Sequence, residues 1–229
     1  MPKLQPGAVK HDTLNQDLWD NYVIRPEVRT GLLKIAKEFY KFLQVPVDVV
    51  DVIITGSQCS YTYTKYSDLD LHIIVDYKNV ACDQPVDELF DTKRNLWKLR
   101  HNIEIHGIPV EAYVEDTAKP VKGSTYSILH NRWKNKPKHQ EFDDSGVERV
   151  AQAWRTLILQ AIEDQDIDEL EKLKALLKQY RQAGLDRNGE LGRANLVFKS
   201  LRNSGLIAEL MKMTLAAKDR ELSVTEDLT

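Results

Sequence analysis

Cysteine is nearly absent: the 229 residues hold two, Cys59 and Cys82. Two thiols are too few for a disulfide framework or a zinc site, and they agree with a reducing compartment. The chain also lacks any apolar run of membrane-spanning length, and Met1-Pro2-Lys3-Leu4-Gln5-Pro6 has no apolar core of the signal-peptide kind. A cytoplasmic protein is the expectation. Neither charge is in excess, since the formal net charge is -3, so a basic surface for nucleic acid would have to be local. Repeats and low-complexity segments are missing too. The length suits one large domain or two small ones.

What is present centres on residues 55–76. An apolar run, Val49-Val50-Asp51-Val52-Ile53-Ile54, ends at Gly56-Ser57; ten residues follow, and Asp68-Leu69-Asp70-Leu71 opens a second apolar run to Val75. Both runs read as strands. Strand side chains alternate between faces, so Asp68 and Asp70 project one way while Leu69, Leu71 and Ile73 project into a core. Paired carboxylates repel, and Asp is disfavoured in strands, so a divalent cation would turn this liability into a site. Gly-Ser after a strand leaves backbone donors for phosphate, and Ser57 adds a hydroxyl. Cys59 reads as a small filler within the loop.

This pattern resembles the DNA polymerase β-like nucleotidyltransferase superfamily, whose signature is Gly-Ser or Gly-Gly, about ten residues, and an Asp-x-Asp flanked by apolar residues. Residues 56–71 match it without a gap. The resemblance implies transfer of a nucleoside monophosphate from a nucleoside triphosphate (NTP) to an acceptor group, with release of pyrophosphate. It implies two ions, Mg²⁺ or Mn²⁺, as metal ligands Asp68 and Asp70 and a third carboxylate, with Gly56 and Ser57 binding the nucleotide. Such ions stand about 3.5–4 Å apart in two-metal sites. For the third catalytic acid Glu111 fits best, because Val110, Ala112 and Val114 alternate with it toward the core. Glu104, between Ile103 and Ile105, is the competitor. His72 shares the face of the two Asp residues and reads as a plain strand histidine or a partner to them.

The fold class expected is an α/β (α+β) nucleotidyltransferase core, a mixed sheet flanked by helices, followed by an all-α C-terminal domain. Residues 1–122 would form the catalytic core, 123–144 a basic connector and 145–229 the helical domain. Residues 1 to about 12 read as a loose lead. Helices are expected over Leu14–Val23, from Pro26 to Pro46, and from Val86 to Arg100 with Leu89, Phe90, Leu96, Trp97 and Leu99 inward. Lys93, Arg94 and Lys98 on that last helix read as a solvated face or as reach toward a triphosphate. His106-Gly107 links two hairpin strands. From Val121 to His139 five basic residues, Lys122, Arg132, Lys134, Lys136 and Lys138, interleave with Tyr126 and Trp133 and no acid. The segment reads equally as a nucleotide or nucleic-acid surface and as a connector. Helical spacing then recurs from Val147 to Ile162, Ile167 to Tyr180, Leu191 to Arg202 and Leu206 to Lys218, with Gly184 and Gly189 marking a break and a frayed tail from Asp219.

The function this supports is a metal-dependent nucleotidyltransferase with a hydroxyl acceptor that is a small molecule, RNA or a protein. No membrane partner is expected. The alternative is a non-catalytic or antitoxin-like interaction protein that retains the fold. The chain has no helix-hairpin-helix Gly motif for duplex DNA, which favours transfer of one or a few nucleotides over templated synthesis.

Overall fold

A computed structural model describes residues 3–81, 85–119 and 123–223; Cys82 and Lys122 lie outside them. The chain divides into two compact units, Val9–Gln140 and Met1–Ala8 with Glu141–Thr229.

The first unit opens with a two-stranded ribbon, β1 (Trp19–Asp20) and β2 (Val23–Ile24), where a helix was expected over Leu14–Val23. Side chains outcompete the helix there. Asn15 Oδ1 accepts from the backbone N–H of Asp17, and Asn21 turns the chain at φ 53°. Helix α1 (Pro26–Leu43) starts with Pro at its first turn and ends on Gln44 in the left-handed conformation. It buries Val28, Leu32, Ala36, Phe39 and Leu43 against the sheet.

Strands β3 (Val49–Thr55) and β4 (Leu69–Val75) pair antiparallel, with a 3-10 turn at Ser57–Cys59 between them. Helix α2 (Val86–Arg100) then crosses over to a hairpin of β5 (Glu104–Ile105) and β6 (Ile108–Asp116). His106 and Gly107 carry the turn at φ 50° and 74°, the two positive values a two-residue turn of this kind requires. Strands β7 (Thr125–Ser127) and β8 (Arg132–Asn135) complete a six-stranded sheet in the order β5-β6-β4-β3-β7-β8. The β4–β6 pair is parallel, which makes the sheet mixed. Leu69, Leu71, Ile73 and Val75 alternate onto the face that α1 covers. Trp97 joins α2 to α1 through rings 5.3 Å from both Phe39 and Phe42. Of the residues expected inward on α2, Phe90 and Trp97 are buried, whereas Leu99 is 83% exposed: α2 lies on its neighbours with a narrower stripe than its composition suggests.

In the second unit, α3 (Val147–Glu163), α4 (Ile167–Asn188), α5 (Arg193–Asn203) and α6 (Leu206–Leu222) enclose a core of their own. The break expected at Gly184 does not occur. Helix α4 continues to Asn188, and Gly184 instead admits α5: a β-carbon there would meet the Ala194 β-carbon at 2.3 Å. Asn195, fully buried, accepts from Arg181 Nε at 3.0 Å and donates to the Glu190 carbonyl at 2.7 Å. The N-terminal lead is not loose either. Leu4 and Ala8 pack on this core, and Asn203 donates to the Pro6 carbonyl at 2.8 Å.

Candidate active site

The β3–β4–β6 register places the acids the sequence singles out. Asp70 lies on β4 opposite Thr55 of β3 on one side and Glu111 of β6 on the other. Neighbouring strands stand about 4.8 Å apart, so Asp70 and Glu111 are direct cross-strand neighbours on one face. Asp68 precedes β4 and, like Asp70 and Glu111, is half-buried. Glu104 sits on the outer strand β5, exposed and paired with Pro109.

Gly56 enters the turn at φ 81° and ψ -164°. Cys59 and Ser60 donate back to the carbonyls of Gly56 and Ser57. The first N–H groups of such a turn have no partner inside it, which suits them to an anion. Asp70 Oδ2 lies against this turn, 2.3 Å from where a β-carbon on Gly56 would be. A phosphate held here would face a carboxylate, and two anions at that range repel strongly unless a cation stands between them. Hard carboxylate oxygens at Asp68 and Asp70 suit such a cation. Among the described residues, however, no three His, Cys, Asp or Glu side chains are gathered as a metal group.

The loop after the turn is fixed by residues that carry no motif. Gln58, 1% exposed, donates to the Ser67 carbonyl at 2.9 Å and accepts from Asn15 at 3.0 Å, while its own carbonyl accepts from the Trp19 indole. Tyr61 is buried, its hydroxyl 2.7 Å from that of Tyr22, and burial pushes its pKa up to about 12. Tyr63 stacks on His11. Cys59 is fully buried; burial, then the Asp70 charge, pushes its thiol well up, which makes it unreactive filler.

Glu111 has two partners. Lys98 Nζ, from α2, donates to Oε1, and the Tyr113 hydroxyl donates to Oε2 at 2.6 Å. Burial pushes the Glu111 carboxyl up, but these two donors and the charges of Lys98 and Arg94 outweigh it and hold it below its ordinary range. Tyr113 is shifted the other way, upward, by burial and then by Glu111 and the charges of Asp70 and Asp68. Its ring lies between His72, stacked at 4.8 Å, and the Arg94 guanidinium at 5.2 Å. His72 Nδ1 sits 2.8 Å from Glu115 Oε2. Burial nevertheless lowers the His72 pKa, with Glu115 opposing. Sequence reasoning missed Tyr113, although its spacing of two from Glu111 on a strand puts both on one face. Nothing in the sequence separates Lys98 from Lys93 and Arg94.

The basic segment is structural at its aromatic positions. Tyr126 is 1% exposed, and Trp133 stacks on Trp19 at 4.7 Å while donating to the Tyr22 carbonyl. The Tyr126 ring is thus inside the core, and one face of Trp133 is taken by Trp19. Lys134 reaches the buried Asp51 at 3.2 Å. Lys136 and Lys138 are exposed.

The mixed sheet thus sets a glycine turn after β3 and the Asp68-Leu69-Asp70 segment at the start of β4 side by side. Residues 31–141, from within α1 to just beyond β8, match the family model of the nucleotidyltransferase domain, a match consistent with a nucleotidyltransferase of the DNA polymerase β-like kind. Helices α3–α6 lie outside the match. No curated protein and no solved structure matches the chain.

Proposed function

We propose that the Val9–Gln140 unit transfers a nucleoside monophosphate from an NTP to a hydroxyl acceptor and releases pyrophosphate. One observation carries the reading: Asp70 stands between a turn suited to phosphate and the carboxylate of Glu111. Asp68 and Asp70 would hold Mg²⁺ or Mn²⁺, and Glu111 would join them, for a second ion, once its carboxylate leaves Lys98. The metal, when bound, neutralises triphosphate charge and eases loss of pyrophosphate.

The chain's own residues do the rest. Gly56 and Ser57 hold the β- and γ-phosphates through N–H and hydroxyl donors. Glu111, ionised across the neutral range, accepts the acceptor's hydroxyl proton at a carboxylate oxygen. That hydroxyl oxygen then bonds the α-phosphorus, the bond from the α-phosphorus to the bridging oxygen breaks, and pyrophosphate leaves with the electron pair. No covalent enzyme intermediate is required.

The test is turnover of α-labelled NTPs with Mg²⁺ or Mn²⁺, with and without total RNA or cell extract. Label transferred by the wild type and lost in the Asp68→Asn, Asp70→Asn double variant supports the reading. A folded wild type that binds no NTP with either metal overturns it and leaves the interaction protein that kept the fold.

A further inference from the structure

A cavity of about 240 Å³ opens between α2 and the edge of β6, with Arg94, Lys98, His101, Asn102, Glu111 and Tyr113 in its walls. Three features fix its character. Its volume is below the 300–1,000 Å³ typical of whole-ligand pockets, so it holds one group about the size of a sugar phosphate. Its charge is carried by Arg94 and Lys98 against the single carboxylate of Glu111, and both cations sit on the same helix one turn apart. Its place is set by strand order: the Gly56–Ser57 turn follows β3 on one side of Asp70, and the cavity borders β6 on the other. In-line displacement puts acceptor and leaving group on opposite sides of the reacting phosphorus. The triphosphate tail is served from β3, which leaves the β6 side to the acceptor.

We propose that this cavity takes a phosphate group of the acceptor, held by Arg94 and Lys98, and that Lys98 exchanges Glu111 for that phosphate. The inference rests on the transferase reading above and names the acceptor class: a hydroxyl compound that already carries a phosphate. Lys98 is the movable member. Its side chain is 66% exposed on a flexible stem, while the Arg94 guanidinium lies over Tyr113 with its second partner, Asp91, out in solvent. A phosphate at the rim therefore competes for Lys98 at small loss, and its arrival leaves a Glu111 oxygen open to the acceptor hydroxyl. Binding of the phosphorylated acceptor thus prepares the acid that activates it.

Calorimetric titration of the full chain in EDTA, without NTP, decides it. The probes are ribose 5-phosphate, ribose, and a trinucleotide with a free 3′ hydroxyl and no terminal phosphate. Binding of either phosphorylated probe, at least tenfold tighter than ribose and about tenfold weaker in Arg94→Gln and in Lys98→Gln, supports the site. Preference for ribose 5-phosphate assigns a phosphomonoester, and preference for the trinucleotide an internucleotide phosphate. Glu111→Gln, which removes the competing carboxylate, should bind the better probe several-fold tighter, and unchanged or weaker binding overturns the exchange. Equal binding of ribose, or no phosphorylated probe bound by the wild type, overturns the site. So does loss of a non-hydrolysable NTP analogue by the α2 variants, since it would give the cavity to the triphosphate. A wild type that fails to bind that analogue defeats the transferase reading alone, because the phosphate titrations need neither NTP nor metal.

Discussion

Asp70 and Gly56 are in contact across the β3–β4 pair: Oδ2 occupies the space a side chain at position 56 would need, 2.3 Å from its β-carbon. The turn and the acid are therefore one unit, and a side chain at position 56 displaces the Asp70 carboxylate.

Gly56→Ala tests that unit. The substitution places a β-carbon on Asp70 at a φ of 81°, which L-residues with a side chain rarely adopt. We expect a stability loss of about 1–3 kcal/mol together with loss of NTP binding. Thermal unfolding and nucleotide titration check it, and a variant that binds NTP normally would contradict the contact.

Lys98 and Glu111 set an acid dependence. The Glu111 carboxyl lies below its ordinary value because Lys98, Tyr113 and Arg94 outweigh burial. A group depressed in the folded state stabilises it fully above the unfolded pKa of about 4.3, and that contribution is lost as pH falls through the lower folded value. The stability gap between the wild type and Glu111→Gln, measured in metal-free urea titrations, should therefore close as pH drops from about 6 to below about 4. A gap that widens on acidification reverses the sign.

Lys134 differs from its basic neighbours. It partners Asp51, which is 4% exposed and also accepts from Ser127 Oγ at 2.7 Å and the Val52 N–H at 2.8 Å. Removing the cation leaves a buried carboxylate with two donors and no counter-charge. Lys134→Met should lose about 1–2 kcal/mol, whereas Lys136→Met and Lys138→Met stay within about 0.5 kcal/mol. Equal effects at the three positions would show the Asp51 contact to be immaterial.

Gly184→Ala sets two terms against each other. Alanine gains about 1 kcal/mol of helix propensity, but its methyl group would meet Ala194 at 2.3 Å. Overpacking costs about 1–3 kcal/mol, so the crossing of α4 and α5 should lose. A melting temperature above the wild type's would reverse that ranking.

Where the sequence was readable, one physical rule acted alone. The apolar periods of α1, α2 and α3–α6 announce themselves because burial selects a face, and β3 and β4 are dense apolar runs with turn residues between them. Misreadings arose where two rules competed. Leu14, Leu18 and Trp19 keep helical spacing, yet Asn15 and Asn21 divert the backbone into a ribbon. Gly184 breaks helices by propensity and here serves a close approach instead. The segment 123–144, read equally as a connector and as a binding surface, contributes β7 and β8, with Tyr126 buried in the core and Trp133 packed partly buried against it. At the site, the acids follow from spacing, while Lys98 and Tyr113 depend on how α2 lies across the β6 edge, a tertiary fact no local pattern encodes.

The parallel pairing of β4 with β6 has a consequence in time. β3 and β4 form a local hairpin, so Gly56 and Asp70 meet early, over a short loop. Glu111 reaches Asp70 only after the whole crossover through α2 has closed, and closure over a longer loop carries more entropy. During synthesis the ribosome releases the first half well before the second. On the reading proposed here, a nascent chain can grip a nucleotide before it owns the means to transfer it, and premature chemistry is excluded by the order in which the strands arrive.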